Sequence, residues 1–151
     1  MKIYIDQSWK IEDTNKQTVI AYSNLTGTKN KSITISASDK KEVQKIFRRA
    51  GKPDIFIYKT FAILIFLLIK NDLKSIDEII IDMEYVSREP VIKKFLLELI
   101  RRNGRKFESE KISFTQIGKK NPAHNAAISV FRKRKKPNIK ANYKDILQWS
   151  I

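Results

Sequence analysis

The chain has 151 residues, of which 42% are hydrophobic and 31% charged, and this balance is typical of one globular domain and excludes a disordered chain. Its 31 lysines and arginines against 16 acids give a formal net charge of +15, which indicates a polyanionic partner, nucleic acid before an anionic membrane. The absence of cysteine excludes disulfides and thiolate metal sites, so a metal would need oxygen and imidazole ligands, which favours Mg²⁺ or Mn²⁺.

Two features of the sequence bear on its location. The longest apolar run, residues 61–69, has nine residues, about half of a membrane span. The N-terminus reaches an acid at Asp6, too soon for a signal peptide. We therefore expect a soluble, cytoplasmic protein without a membrane partner. A surface that serves only solubility or ribosome-like docking is the alternative explanation of the charge.

The first third of the chain predicts three strands followed by a helix. The strands show β-type alternation and cover residues 3–6, 17–23 and 32–36. Consecutive strands of this kind are expected to pair antiparallel. Ser38 suits the N-cap of the following helix, and Gly51 suits its end.

The middle of the chain predicts two helices around a buried strand. Residues 55–73 are mostly a helix, because the segment is too long for one strand and apolar on nearly every side, although residues 55–58 could form a short strand. Residues 78–85 are predicted to be a central strand that is buried on both faces. Ser87 is predicted to cap the next helix, which ends at Gly104.

The last third predicts a fifth strand at residues 111–117 and a helix from the N-cap Asn121 to about Lys135. The order βββααβαβα predicts an α/β domain over residues 1–136, with helices on both faces of one five-stranded mixed sheet: three antiparallel strands, then two parallel ones. The tail, residues 137–151, carries basic and aromatic side chains. It is expected to fold back on the same domain or to form a short partner-binding segment.

Three acidic side chains stand where two predicted strands stop being hydrophobic. Asp6 ends the first strand, and Asp82 and Glu84, two residues apart, end the central strand and should point the same way. If the two strands are neighbours, the carboxylates converge, and each like-charge pair at about 4 Å costs about 4 kcal/mol at an effective dielectric of about 20. A divalent cation would remove that cost, so the pattern predicts a metal held against a polyanion.

Three short segments carry a resemblance to a known family. They are Ile5-Asp6, Ile81-Asp82-Met83-Glu84-Tyr85 and Gly118-Lys119-Lys120-Asn121-Pro122-Ala123-His124. With the order of elements over residues 1–135, they resemble the ribonuclease H-like superfamily and are similar to small archaeal nucleases of that fold. The resemblance implies phosphodiester hydrolysis with two Mg²⁺ or Mn²⁺ ions about 4 Å apart, one activating a water and the other stabilising the leaving oxygen.

The resemblance also implies a role for each matching residue. Asp6 corresponds to the first-strand aspartate that bridges both metals, and Asp82 or Glu84 corresponds to the acid of the neighbouring central strand. His124, in the first turn of the last helix, corresponds to the last ligand, with an acid or base role as the alternative. The resemblance thus predicts a metal-dependent nuclease that cuts DNA or RNA with little sequence preference.

One departure from the family weakens this prediction. Many ribonucleases H carry a glutamate on the helix before the central strand, but residues 55–73 offer no acid before Asp72. Either the second acid of the Asp82 and Glu84 pair substitutes for that glutamate, or the site is incomplete. The alternative function is therefore a nucleic-acid-binding module that has lost catalysis.

The basic residues cluster late, since ten of them and one acid lie in residues 111–151. The predicted nucleic-acid contacts are Lys119, Lys120, Arg132, Lys133, Arg134, Lys135 and Lys136. Five consecutive cations exceed what the C-terminal dipole of a helix explains, so contact with a phosphate backbone is the better explanation. Stacking of Trp9, Tyr143 or Trp149 on bases is a further alternative, but we expect these rings to pack in the core.

Overall fold

The computed structural model describes residues 1–150, in which a single mixed sheet forms the centre of the fold. Its strands are β1 (Lys2–Ser8), β2 (Thr18–Ser23), β3 (Asn30–Ile35), β4 (Glu78–Asp82), β5 (Ile112–Thr115) and β6 (Ile139–Ala141). Their order across the sheet is β5-β4-β1-β2-β3-β6. Strands β1, β2 and β3 form an antiparallel meander, β4 and β5 continue it as parallel strands, and β6 runs parallel to β3.

Helices cover both faces of this sheet. They are α1 (Ala37–Arg49), α2 (Phe56–Ile69), α3 (Glu89–Arg102), α4 (Pro122–Phe131) and α5 (Tyr143–Trp149). Helices α1, α2, α3 and α5 share the larger core, whereas α4 packs alone on the opposite face over Val19 and Ala21. Most side chains of α2 are buried, which explains why it is apolar on nearly every side. Within residues 1–150, no helix combines the length and the hydrophobicity that crossing a bilayer requires.

The predicted α/β class, the antiparallel meander and the two parallel strands after it are confirmed. The predicted count of five strands is wrong, because the tail contributes β6 at the edge of the sheet. Residues Tyr143–Trp149 of the tail form α5, which contacts α1 and α2. With three residues, β6 is too short to show a period-two pattern in the sequence.

Several predicted boundaries are wrong at the ends of elements. Strand β4 stops at Asp82 instead of residue 85, and α4 stops at Phe131 instead of about residue 135. Ser36, not Ser38, caps α1 by accepting the Asp39 backbone N–H.

Two further predictions fail near the ends of α2 and α3. Residues 55–58, for which a short strand was the alternative, belong to helical turns. Ser87 does not cap α3, because it lies one residue too early and has a φ of 71°. Asn121 does cap α4, as predicted, by accepting the Ala123 backbone N–H.

Strand alternation decides which face the acids occupy. Ile3 and Ile5 of β1 and Ile79 and Ile81 of β4 lie in the larger core. Side chains on a strand alternate, so Asp6 and its neighbour on β4 must lie on the opposite face, the one that α4 covers. The sheet therefore places its carboxylates beside the helix that carries the single histidine.

Candidate metal centre

The site starts from the parallel pairing of β1 and β4. Ile5 is opposite Ile81 in the register, so the next residues along each strand, Asp6 and Asp82, emerge side by side. This is the carboxyl end of both strands, where α/β sheets place ligand sites. The predicted adjacency of the two acid-bearing strands is confirmed.

Glu84 reaches the same point by a different route from the one predicted. It lies beyond the end of β4, so strand alternation does not set its direction. Its backbone N–H donates to the Asp82 carbonyl oxygen at 2.9 Å, which turns the chain tightly after the strand. One carboxylate oxygen each from Asp6, Asp82 and Glu84 then lies within 4.8 Å of the other two.

Backbone N–H groups hold two of the three carboxylates in place. Oδ1 of Asp6 accepts from the Gln7 N–H at 2.8 Å, and Oδ1 of Asp82 accepts from the Ile117 N–H at 2.9 Å. Asp6 is only 5% exposed, whereas Asp82 and Glu84 are half-buried. The second oxygen of each aspartate is not involved in these backbone bonds.

His124 joins the site through Asp6. Its Nδ1 lies 3.0 Å from Oδ2 of Asp6, and with that carboxylate ionised the nitrogen must carry the hydrogen and donate it. The Asn121 cap and Pro122 begin α4 here, so His124 falls in its first turn, where the helix dipole favours a nearby negative charge. His124 is not one of the three groups that converge on a single point, and its Nε2 remains free of the bond to Asp6.

The clustering of charge changes the acidity of two groups. Burial raises the pKa of the Asp6 carboxyl, and Asp82 raises it further, against opposing contacts from Gln7 and His124. Burial raises the pKa of Glu84 from 4.5 to about 8, helped by a side-chain hydrogen bond with Asp82 and by the charges of Asp82 and Asp6, although Lys10 opposes the shift. Without a cation, therefore, Glu84 retains its proton at neutral pH.

The three carboxylates could instead have been neutralised by lysine or arginine, but the structure shows no such ion pairs among residues 1–150. Among residues 1–150, His124 is the one basic side chain within ion-pair distance of these three carboxylates. A chain with 31 lysines and arginines thus keeps its acidic cluster free of direct ion pairs with them.

An open cavity of about 330 Å³ surrounds the cluster. It is lined by Asp6, Gln7, Asp82, Met83, Glu84, Gln116, Gly118, Lys119 and His124. All four predicted site residues and one predicted nucleic-acid contact, Lys119, therefore share one cavity. Sequence reasoning missed Gln7 and Gln116, and only their positions next to Asp6 and after β5 could have indicated them.

The remaining predicted basic contacts lie in two places. Lys120 is exposed and follows Lys119 at the cavity rim. The run from Arg132 to Lys136 is exposed at the far end of α4, about 15 Å from its first turn by the rise of a ten-residue helix. The run was predicted to belong to the last helix, and this prediction is wrong. The helix ends before the run, and Lys133 adopts a φ of 61°.

The three aromatic residues that were expected in the core differ in their surroundings. Trp149 packs edge-on against Phe66, and Tyr143 is half-buried against the larger core. Trp9 is 37% exposed and stacks on Phe131, so its predicted core position is wrong.

No protein-family model, no curated protein and no solved structure matches this chain. The geometry of the site and the charge that surrounds it are therefore the features that indicate a function.

Proposed function

We propose that the protein is a metal-dependent nuclease of ribonuclease H-like fold that hydrolyses phosphodiester bonds in DNA or RNA with little sequence preference. The observation that carries the proposal is the convergence of Asp6, Asp82 and Glu84 within 4.8 Å in a chain of net charge +15. An acidic cluster without lysine or arginine partners offers ligands to a cation, and a strongly basic surface attracts polyanions. Both are needed to bring a divalent cation to a phosphate backbone.

The donor set fits Mg²⁺ or Mn²⁺. All three converging groups are carboxylates, which are the hard oxygen ligands that these ions prefer, and thiolates are absent from the sequence. Asp6, Asp82 and Glu84 would hold the cation, with His124 adjacent. When bound, two such ions would supply a water of lowered pKa and positive charge beside the leaving oxygen.

The side chains of the site have distinct tasks in this proposal. The Gln7 and Ile117 N–H groups fix the orientation of the Asp6 and Asp82 carboxylates, so these ligands need little reorganisation. Because Nδ1 of His124 is committed to Asp6, its Nε2 is the nitrogen that can accept or release a proton. Lys119 in the cavity wall would contact a phosphate oxygen of the substrate.

One observation favours a second candidate, a nucleic-acid-binding module without catalysis. Helix α2, which precedes β4, contains no acid along its whole length and is largely buried. Many ribonucleases H use a fourth carboxylate on this helix, and α2 has no equivalent of it. If three carboxylates are too few to hold two ions, the chain would bind nucleic acid without cutting it.

The test is a cleavage assay on labelled single- and double-stranded DNA, RNA and hybrids with Mg²⁺ or Mn²⁺. Asp6→Asn and Asp82→Asn should each abolish cleavage, because each substitution removes a negative charge that holds the cation. EDTA should also abolish cleavage, because it removes the cation itself. Asp54→Asn is the matched control, because Asp54 is exposed and lies outside the cavity. Its cleavage rate should equal that of the wild type.

The possible results separate the candidates. Cleavage that EDTA and both site variants abolish supports the nuclease. Tight, strongly salt-dependent binding without cleavage supports the binding module, because phosphate contacts release counterions. Failure to bind any nucleic acid at low salt would reject both.

A further inference from the structure

A second and larger groove lies at the other end of α4. It has a volume of about 830 Å³ and is open to solvent between the end of α4, the β1–β2 loop and the edge formed by β3 and β6. Its charged walls are the exposed side chains Lys16, Lys133 and Lys140. The one acid among the lining residues, Asp39, already accepts hydrogen bonds from the Ser36 hydroxyl and the Tyr143 N–H.

The floor of the groove is tied together by hydrogen bonds of its own. Gln17 donates to the Phe131 carbonyl oxygen at 3.3 Å and accepts from the Thr34 hydroxyl at 3.0 Å. These contacts connect the end of α4 to β3 across the β1–β2 loop. The floor is therefore built before any ligand arrives, and the lysines above it are exposed to solvent.

An aromatic pair stands at the rim of this groove. Trp9 stacks on Phe131 with ring centroids 5.7 Å apart and planes 10° from parallel. The Nζ of Lys16 lies 4.2 Å from the centre of the Trp9 ring. Two of the residues that Trp9 touches, Phe131 and Lys16, thus line the groove themselves.

The backbone at Trp9 is unusual for a bulky side chain. Its φ of 73° is in the left-handed region, which large residues rarely adopt. The indole is 37% exposed, although a tryptophan usually buries most of its large apolar surface. Residues with such strained backbone conformations cluster at active sites and at sites that clamp ligands.

We propose that this groove binds single-stranded nucleic acid, with a base stacked on Trp9 and phosphates on Lys16, Lys133 and Lys140. A base on an aromatic ring is worth about 5- to 150-fold in affinity, whereas an exposed cation over the ring is worth only about 2- to 5-fold. A base therefore displaces Lys16 from the Trp9 ring, and the released ammonium can reach a phosphate. In a duplex both faces of each base are covered by its neighbours, so paired strands lack this contact.

The position of the groove relates it to the metal centre. Trp9 follows Asp6 by three residues, at most about 10 Å along an extended chain. Helix α4 connects the two places, with His124 at one end and Phe131 at the other. The inference names the substrate class, a single strand, and rests on the proposed function only for the place where that strand would be cut.

The two tryptophans of the chain allow a direct test. In Trp149→Phe, Trp9 is the remaining tryptophan, and an oligothymidylate of about 15 nucleotides should quench its emission as it binds. In Trp9→Phe, the same oligonucleotide should leave the emission of Trp149 unchanged. Measuring in EDTA prevents cleavage, so the result does not depend on catalysis.

Binding by anisotropy supplies the second readout. Trp9→Ala should weaken oligothymidylate binding by about 5- to 150-fold. Lys16→Gln and Lys140→Gln should each reduce the slope of log affinity against log salt by about 0.7, which is one phosphate contact on a single strand. Lys74→Gln is the control, because Lys74 is exposed between α2 and β4, away from the groove.

Three results would overturn the inference. They are binding without quenching of Trp9, equal quenching by heparin, which has charge but no bases, and tighter binding of duplex than of single strands. Cleavage without quenching would reject the groove and keep the nuclease. Quenching without cleavage would keep the groove and reject catalysis.

Discussion

Replacing Glu84 by glutamine should make the metal-free protein more stable. Glu84 shares a small volume with two other carboxylates, and burial and their charges raise its pKa from 4.5 to about 8. Glutamine has nearly the same shape but cannot ionise. Glu84→Gln therefore removes the repulsion without removing the side chain.

The expected magnitude can be bounded in two ways, of which the second includes the repulsion that the first counts. Two charges 4.8 Å apart repel by about 3.5 kcal/mol at an effective dielectric of about 20. A rise in pKa from 4.5 to about 8 corresponds to about 5 kcal/mol between the two protonation states. Because Glu84 is partly exposed, solvent screening reduces the gain to about 2–3 kcal/mol, or about 5–10 °C in Tm for a chain of this size.

The gain should also depend on pH in a definite direction. The folded-state pKa of Glu84 lies above its ordinary value, so the wild type is most stable below pH 4.5 and loses stability as the pH rises through about 8. Glu84→Gln has no such loss. The difference in Tm between the two proteins should therefore be small near pH 5 and largest above about pH 8.

Thermal unfolding followed by circular dichroism, in EDTA and then in Mg²⁺ or Mn²⁺, measures both effects. The metal should stabilise the wild type by about 2.7 kcal/mol at a hundredfold excess over Kd and so raise its Tm. The metal should raise the Tm of Glu84→Gln by less. Asp54→Asn should behave as the wild type does. A Glu84→Gln protein less stable than the wild type in EDTA at high pH would refute the reasoning.

Three further substitutions test the surroundings of the site. Tyr85→Phe should lower stability by about 1–3 kcal/mol, measured by urea unfolding, because it removes the hydroxyl that accepts from the buried Ile11 N–H at 3.1 Å. His124→Ala should slow cleavage by about 100-fold or more while keeping most of the metal-induced rise in Tm, because His124 lies outside the converging group. Lys40→Met should expose the β1–β2 loop to proteolysis, because the buried ammonium of Lys40 donates to the Lys10 and Asp13 carbonyl oxygens.

Each of these predictions has its own control. Tyr58→Phe keeps the ring contact with Tyr85 and should leave stability nearly unchanged. A His124→Ala protein that no longer responds to metal would make His124 a ligand. Lys41→Met changes an exposed neighbour of Lys40, and equal proteolysis of both variants would contradict the anchoring role.

The sequence predicted the parts of the fold that depend on local patterns. The period-two alternation of hydrophobic residues predicts the strands β1 to β3. The length of each uniformly apolar segment distinguishes the helix α2 from the strand β4. What failed depends on tertiary contacts. Strand β6 exists because β3 offers an open edge, and Ser36 takes the cap because the helix begins two residues earlier than a cap at Ser38 predicts.

The site shows the same division. Asp6 and Asp82 could be placed together because parallel neighbours bring their carboxyl ends to one edge. Glu84 was placed correctly for the wrong reason, since a tight turn and not strand alternation returns it to the cluster. The contribution of Gln7 and Gln116 to the cavity had no sequence signal beyond their positions next to Asp6 and after β5, because neutral amides carry no charge pattern.

The larger hydrophobic core and the candidate site lie on opposite faces of the sheet. The larger core involves α2 and its neighbours. The face under α4 has a small core and carries the acids, His124, the cavity of the metal centre and the groove near Trp9. A mild cavity on the α2 face should therefore change stability alone. Ile63→Val, at a fully buried position, should cost about 1 kcal/mol and lower the Tm by about 2–4 °C.

The metal-induced rise in Tm and the quenching of Trp9 should be the same in Ile63→Val as in the wild type. The reason is that Ile63 belongs to the larger core, whereas the small core beneath α4 is formed by Val19, Ala21, Ala127 and Val130. Calorimetric titration with Mn²⁺ compares the affinities directly. If Ile63→Val weakened metal binding as much as Glu84→Gln does, the two faces would be energetically coupled and the site could not be treated as separate from the core.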